Sequence, residues 1–388
     1  MKVTQVYELL NAVTNEILGS TDIVKEDLSN VVDIGVQIFD ATSVDRYVKS
    51  LIDHIGKVIF VNRPYSGSAP SVLMDSWEFG AVLEKIQADI PEATENESWE
   101  LEDGQSYDPN IFYKPTVSAK FFQKKVTFEV PLSFTEMQVR GSFSSSEQLN
   151  SFVSMLYNAV DKSMTVKLDA LIMRTINAMT GETIHAEYGS AQLSSKSTTK
   201  AINLLYLYNN GPNYGNTPLT ASAAMTDPEF IRFAVREMNI TKARMAKIST
   251  LFNVGAKARF TPADMLKTVM LADFKESADV YLQSDTFHDE YTRLVPADLV
   301  PYWQGPGDDS FDFADVTAIN ITTPSGDDVS ASGILCVMFD RDALGVANMN
   351  RRTTSNFNPK AEFYNNWFKA DSSYFADLDE NYVVFFVA

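Results

Sequence analysis

From Ser144 to Gly181 the chain holds one helical period without a break, and no other feature limits its possible folds as strongly. Ser144 and Glu147 stand in the S-x-x-E relation of a capping box, in which each side chain satisfies a backbone N–H of the other residue. Apolar residues then recur mostly at steps of three and four: Leu149, Phe152, Val153, Leu156, Val160, Met164, Leu168, Leu171, Ile172, Ile176 and Met179. Gly181 is the expected stop, because glycine accepts the left-handed conformation that closes helices. The spacing predicts a helix over 146–180, a rod of roughly 50 Å at the usual rise. Ordinary globular helices run to about 11–12 residues. A rod of this length suits a spine on which sheets are hung, with Phe152, Leu156, Leu171 and Ile172 on its core face.

The flanking segments supply the sheets. Val126, Phe128, Val130, Leu132 and Phe134 alternate with polar residues and Pro131, the period of a half-buried strand. Pro131 has no N–H to donate, so this strand belongs at an edge or is interrupted there. Thr116–Phe122 is expected to pair nearby. Asp227-Pro228 opens a helix striped by Phe230, Ile231, Ala234, Val235 and Met238. Leu266–Leu271 reads as a strand, with a short helix from about Phe274 to Leu282. Thr323–Asp327 reads as a hairpin turn, Ile334–Phe339 as a buried strand and Tyr382–Ala388 as a buried terminal strand. Upstream, helical patches run over Val3–Leu18 and about Lys25–Phe39. A clean stripe from Val44 to Ile55 leads into a β-like run at Lys57–Asn62. Residues 64–115 differ, with five prolines, an acidic run and little apolar pattern. They cannot bury a core of their own and are too long for an ordinary connection.

Charge is unevenly placed on an acidic chain of net charge −19. Asp75–Asp103 holds ten acidic residues against Lys85 alone, whereas Phe230–Phe260 holds seven basic residues against Glu237. Two solvated faces would account for this, and so would one segment meeting the other across a subunit contact. The overall acidity argues against a generally basic nucleic-acid surface. The one cysteine, Cys336, lies in an apolar run and is expected as a small buried hydrophobe. Met1-Lys2-Val3 leads into polar-interrupted sequence, so no secretory leader is expected. No window approaches a membrane-spanning length.

Motifs for chemistry are sparse. His54, His185 and His288 show no metal-ligand spacing, and no G-x-S-x-G elbow occurs. Asp308, Ser310 and Asp312 begin like a calcium loop, but Phe313 stands where glycine is needed and Ile319 where glutamate is needed. The aromatic run Phe363–Phe368 lacks the interleaved basic residues of a base-stacking platform and reads as packing. No catalytic, cofactor-binding or metal-binding residue is assigned.

Four blocks, taken in order with the long helix, carry a resemblance. They are Ser50–Gly56 leading into a β-run, Phe152–Ala159 on the spine, Leu271–Phe274 followed by Ala278–Leu282, and Val337–Leu344. The chain resembles the major capsid proteins of tailed bacteriophages, the Hong Kong phage-type fold also used by herpesvirus shells and encapsulin compartments. The resemblance implies an α+β phage major capsid fold. Its parts are an N-terminal arm and helix over 1–63, an extended loop over 64–115 and a peripheral domain over 116–200 with the spine helix and a β-sheet. A mainly axial domain over 201–332 and a return to the peripheral sheet over 333–388 complete it. Members that begin with the arm use a separate scaffolding protein or none. The lysine–asparagine cross-link of some members is not carried over to Lys85.

The function so implied is a structural, non-enzymatic subunit that assembles into an icosahedral or prolate head. Its expected partners are other copies in hexamers and pentamers, a scaffolding protein, a portal and double-stranded DNA held non-specifically, with no membrane. The expected locations are the virion and, during assembly, the host cytoplasm. The acidic loop, through Glu95, Glu97 and Glu100, is expected to meet Arg232, Arg236 and Lys247 of an adjacent subunit. An encapsulin-like compartment and a soluble acidic enzyme are the alternatives.

Overall fold

The computed structural model describes residues 69–74, 83–88, 90–91, 93, 95–107, 109–135, 146–211, 218–283, 294–305 and 311–388. Within these, 97, 134–135, 146–158, 282–283 and 349–350 are described by their backbone. The expected helices before residue 56, the run at 57–62 and Ser144 lie outside the described residues, as do the side chains of Phe152 and Leu156.

The described strands are β1 (Leu73–Met74), β2 (Leu83–Ala88), β3 (Val117–Phe122), β4 (Lys125–Thr135), β5 (Ala201–Asn203), β6 (Leu266–Leu271) and β7 (Asp298–Val300). They continue with β8 (Ile319–Thr322), β9 (Asp328–Ala331), β10 (Ile334–Asp340), β11 (Leu344–Asn358), β12 (Phe363–Ala376) and β13 (Tyr382–Phe386). The helices are α1 (Ser146–Tyr188), α2 (Leu204–Asn209), α3 (Ala221–Ala224), α4 (Pro228–Met245), α5 (Ala272–Gln283) and α6 (Phe313–Val316). The chain divides into two compact units. One takes 1–76, 125–174 and 346–373, and the other 77–124, 175–345 and 374–388.

In the first unit a four-stranded sheet runs β1-β11-β12-β4. The alternating strand expected around 126–134 is β4, and among the described residues it lies at the sheet edge, paired antiparallel with β12. Pro131 sits opposite Trp367 without breaking the ladder, because an edge strand can leave one N–H unused. The buried side of α1 here is Val160, Met164, Leu168, Leu171 and Ile172, as its spacing requires. Asp161 of α1 favours the charge on Arg351 of β11, which burial lowers from its ordinary pKa.

The long β11–β12 hairpin is not evident in the sequence. Along β12 the inward positions include Tyr364 and Phe368 but also Asn366 and Ser372, while Trp367 is only half-buried. That mixture masks a period of two. The aromatic run packs as expected, with the Tyr364 and Phe357 rings 4.7 Å apart. Charge pairs tie neighbouring strands, Lys369 to Glu129 at 3.1 Å and Arg352 to Asp371.

The second unit is built on a five-stranded mixed sheet, β5-β13-β10-β6-β7. All residues of β10 and β13 are buried, which the uninterrupted apolar runs at 334–339 and 382–387 require. Residues beyond 333 therefore feed both sheets rather than only one. The C-terminal half of α1 is fastened to β13. Thr180 Oγ1 and Tyr382 Oη share a hydrogen bond of 2.8 Å, and Tyr188 stands edge-on to Phe386 at 5.8 Å. The expected helix at Asp227-Pro228 is α4, with Asp227 accepting from the Phe230 N–H. The turn at 323–327 joins β8 to β9 as expected, and Glu182 of α1 accepts from the Ser325 N–H and hydroxyl.

The expected stop at Gly181 is corrected. The helix passes through it and ends at Gly189, whose φ of +56° is the left-handed closing conformation and whose N–H bonds the His185 carbonyl at 2.8 Å. Gly181 answers a different need. A Cβ there would stand 2.8 Å from Ile321 Cδ1, so the absent side chain allows β8 to approach.

Gly333 is more demanding. Its φ is +81°, and a Cβ would fall 1.8 Å from the Val387 carbonyl oxygen. Gly333→Ala is expected to cost about 1–3 kcal/mol in backbone strain alone, plus displacement of the terminal strand. The check is the thermal midpoint of the variant, and an unchanged midpoint would show that the close approach does not exist.

Candidate assembly interface

Part of the segment expected as a coreless loop, from Leu83 onward, forms an antiparallel hairpin with the strand that follows it, while Leu73–Met74 joins the four-stranded sheet. β2 pairs with β3 in register from Leu83↔Phe122 to Ala88↔Val117. Thr116–Phe122 thus pairs backwards across the proline-rich segment rather than with the strand that follows it. The tip between the strands is ordered by local turns. A short 3-10 turn at Glu97–Trp99 is preceded by Asn96, whose side chain accepts from the Ser98 N–H at 2.9 Å, and Tyr107 Oη accepts from the Glu102 N–H at 3.3 Å.

The tip exposes large apolar side chains. Trp99 is 96% exposed, and Leu101, Ile111, Phe112 and Tyr113 are also exposed. Along the strands Ile86, Val117 and Phe121 face solvent as well. Exposed apolar groups gathered in this way have the general character of an interaction surface. Glu95, Glu100, Glu102 and Asp103 are exposed beside them.

The base of the hairpin is anchored ionically. Lys85 and Lys120 are register partners on β2 and β3, a like-charge pair that opposes the ladder unless an anion intervenes. Asp377 is that anion. Its Oδ2 accepts from Lys85 at 2.9 Å and its Oδ1 from Lys120 at 2.7 Å, and its side chain is 0% exposed. Lys85 also donates to Glu380 at 2.7 Å and to the Asp342 carbonyl at 3.2 Å, and Lys120 lies 2.5 Å from Asp379. Arg259 completes the group. It donates to Gln87 and stands 3.4 Å from Glu380, an ion pair without hydrogen-bond alignment. Burial by itself pushes the Asp377 carboxyl up, but hydrogen bonds from Lys120 and Lys85 outweigh it and hold the group below the usual carboxylate range. Burial likewise pulls Lys120 down, and its bonds to Asp377 and Asp379 carry it above the usual lysine value.

The residues expected at a subunit contact fall in two places. Glu95, Glu97 and Glu100 lie on the hairpin tip. Arg232 and Arg236 lie on α4, where they pair locally with Glu229 at 2.8 Å and Glu237 at 3.0 Å, and Lys247 is exposed just beyond that helix. Sequence reasoning overlooked the anchor. The available signal was the acidic run Asp377-Leu378-Asp379-Glu380 near the C-terminus together with Lys85, the one cation within Asp75–Asp103. Of the residues weighed for chemistry, Cys336 is buried, which raises its thiol pKa far above the ordinary value. His185 lies 3.4 Å from Asp327, while His54 and His288 are outside the described residues. Among the described residues no helix is long and apolar enough to cross a membrane.

A family model described as Phi29-like phage major capsid protein matches residues 10–386. Among solved structures, the chain is similar to the capsid structure of Staphylococcus phage Andhra at 10% identity and a TM-score of 0.48, covering 82% of this chain and 83% of that one. It is similar to a chain in the structure of head fiber and inner core protein gp22 of native bacteriophage P68 at 9% identity and a TM-score of 0.48, covering 85% and 86%. The capsid structure of the cyanophage P-SCSP1u follows at 9% identity and a TM-score of 0.43, covering 82% and 86%. No curated protein matches. The identities are low and each of these TM-scores is below 0.5, so the family match carries the weight.

Proposed function

The chain belongs to the Phi29-like phage major capsid protein family, and from that premise we propose how its surfaces build a shell. It is a structural subunit of a phage capsid, which is made of many copies. The hairpin is the element that reaches a neighbouring copy, and the observation that carries this reading is its exposed apolar and acidic tip. Stable protein contacts bury on the order of 1,200–2,000 Å² in total. A thin arm with Trp99, Phe112 and Tyr113 turned outward offers apolar area that a compact body keeps inside.

In this reading the unit holding the four-stranded sheet is the peripheral domain and the unit holding the five-stranded sheet is the axial domain. The copies form hexamers and pentamers of a closed head, with a scaffolding protein and a portal as assembly partners in the host cytoplasm. The net charge of −19 keeps the wall from gripping packaged double-stranded DNA. A phage capsid family favours the virion shell over a cellular cargo compartment or an enzyme. Electron microscopy of the purified protein tests the reading: closed shells or capsomers support it, and a small soluble oligomer under all assembly conditions refutes it.

The acidic tip meets the basic surface of Arg232, Arg236 and Lys247 on the adjacent copy. Replacing Glu95, Glu97 and Glu100 by lysine turns that attraction into repulsion. The loss of shell yield should be greatest at low salt and shrink toward 1 M salt, where the screening length is about 3 Å. Equal yields of variant and parent at every salt concentration would remove this contact.

A further inference from the structure

We propose that the cluster of Lys85, Lys120 and Arg259 with Asp377, Asp379 and Glu380 is a lock that sets the direction of the hairpin and opens without unfolding the unit that bears it. This deepens the reading of the hairpin as the arm that reaches a neighbour. Three cations face three carboxylates, so the cluster is neutral when closed. The carboxylates come from one short turn between β12 and β13, while two of the cations come one from each strand of the hairpin. A single turn therefore holds both strands at one level, and Asp377 between the cross-strand lysines offsets their mutual repulsion.

Among the described residues the apolar attachment of the hairpin is narrow by comparison. Phe122 meets Phe375 with ring centroids 5.3 Å apart, whereas Ile86, Val117 and Phe121 are exposed. The five-stranded sheet has a separate source of stability, since β10 and β13 are buried along their whole length and β10 is paired on both sides, with β13 and β6. Opening the lock therefore frees the arm and leaves the sheet standing. An arm with no preferred exit direction must be ordered anew at each contact, which costs conformational entropy every time Trp99 and the tip are presented to a neighbour.

The test compares amide hydrogen exchange and shell formation in the full chain and two variants. One carries Lys85→Met and Lys120→Met. The other adds Asp377→Asn and Asp379→Asn, which restores neutrality and guards against simple misfolding from unpaired carboxylates. In the fourfold variant, exchange over 83–88 and 117–122 should rise roughly tenfold or more while 334–340 and 382–386 keep the protection of the parent. Electron microscopy should then show irregular shells or none under conditions where the parent closes uniform ones. Parent-like protection of the arm in the fourfold variant overturns the lock, and so do uniform shells built from a loosened arm. Failure of the parent itself to form shells or capsomers refutes the capsid reading instead, so the two failures are distinguishable.

Discussion

Ile172→Asp is expected to leave no soluble subunit. Ile172 is 0% exposed on the side of α1 that also buries Leu168 and Leu171. The substitution forfeits about 1.5–3 kcal/mol of apolar burial. It also places a carboxylate where it must be protonated or remain desolvated, at several kcal/mol more. Together these approach or exceed the roughly 5–15 kcal/mol by which a domain is stable. Ile172→Val removes one methylene, costs about 0.5–1.5 kcal/mol and should fold. The measurement is the soluble fraction of each variant on expression, followed by circular dichroism. A soluble, helical Ile172→Asp protein that still assembles would show that α1 does not serve as the spine.

Asp377→Ala is expected to give the second largest effect. It leaves Lys85 and Lys120 opposed and partly desolvated, at 17% and 36% side-chain exposure. Removing one partner of a buried ion pair costs about 3–5 kcal/mol, and the exposure of Lys120 draws this toward the lower end. The pH dependence follows from the lowered pKa of Asp377. A carboxyl depressed in the folded state adds stability that is fully present above its unfolded value, about 3.9, and is lost as pH falls through its folded value. The groups facing it are Lys85, Lys120, Arg259, Asp379 and Glu380. Asp371, held low first by its bond from Arg352, acts in the same direction. Thermal stability of the parent should therefore fall below about pH 4, and Asp377→Asn should flatten part of that fall. An acid limb identical in parent and variant would exclude Asp377 from it.

Much of the local structure is legible from residue order. The period of 3–4 along Val160, Met164, Leu168, Leu171 and Ile172 appears as a buried helical side. The alternation over 126–134 appears as β4, and the missing N–H of Pro131 appears as its place at a sheet edge. The Asp227-Pro228 start of α4 and the turn at 323–327 also lie where their chemistry puts them. Each of these rests on interactions a few residues long. The β11–β12 hairpin escapes the same reading because its inward row mixes Asn366 and Ser372 with Tyr364 and Phe368.

The sequence by itself determined that this chain has a long apolar-striped helix, buried strands near its C-terminus and opposite charge gathered on separate segments. Only the tertiary structure decided where α1 ends, because the glycine that looked like a stop is needed for the approach of Ile321, far along the chain. It also decided that β3 pairs with β2 and that Lys85 is held by Asp377 and Glu380, 292 and 295 residues away. Propensity and periodicity describe what neighbours in sequence do to one another. Burial of a charge and the closeness of two backbones are properties of segments that meet only in the folded chain.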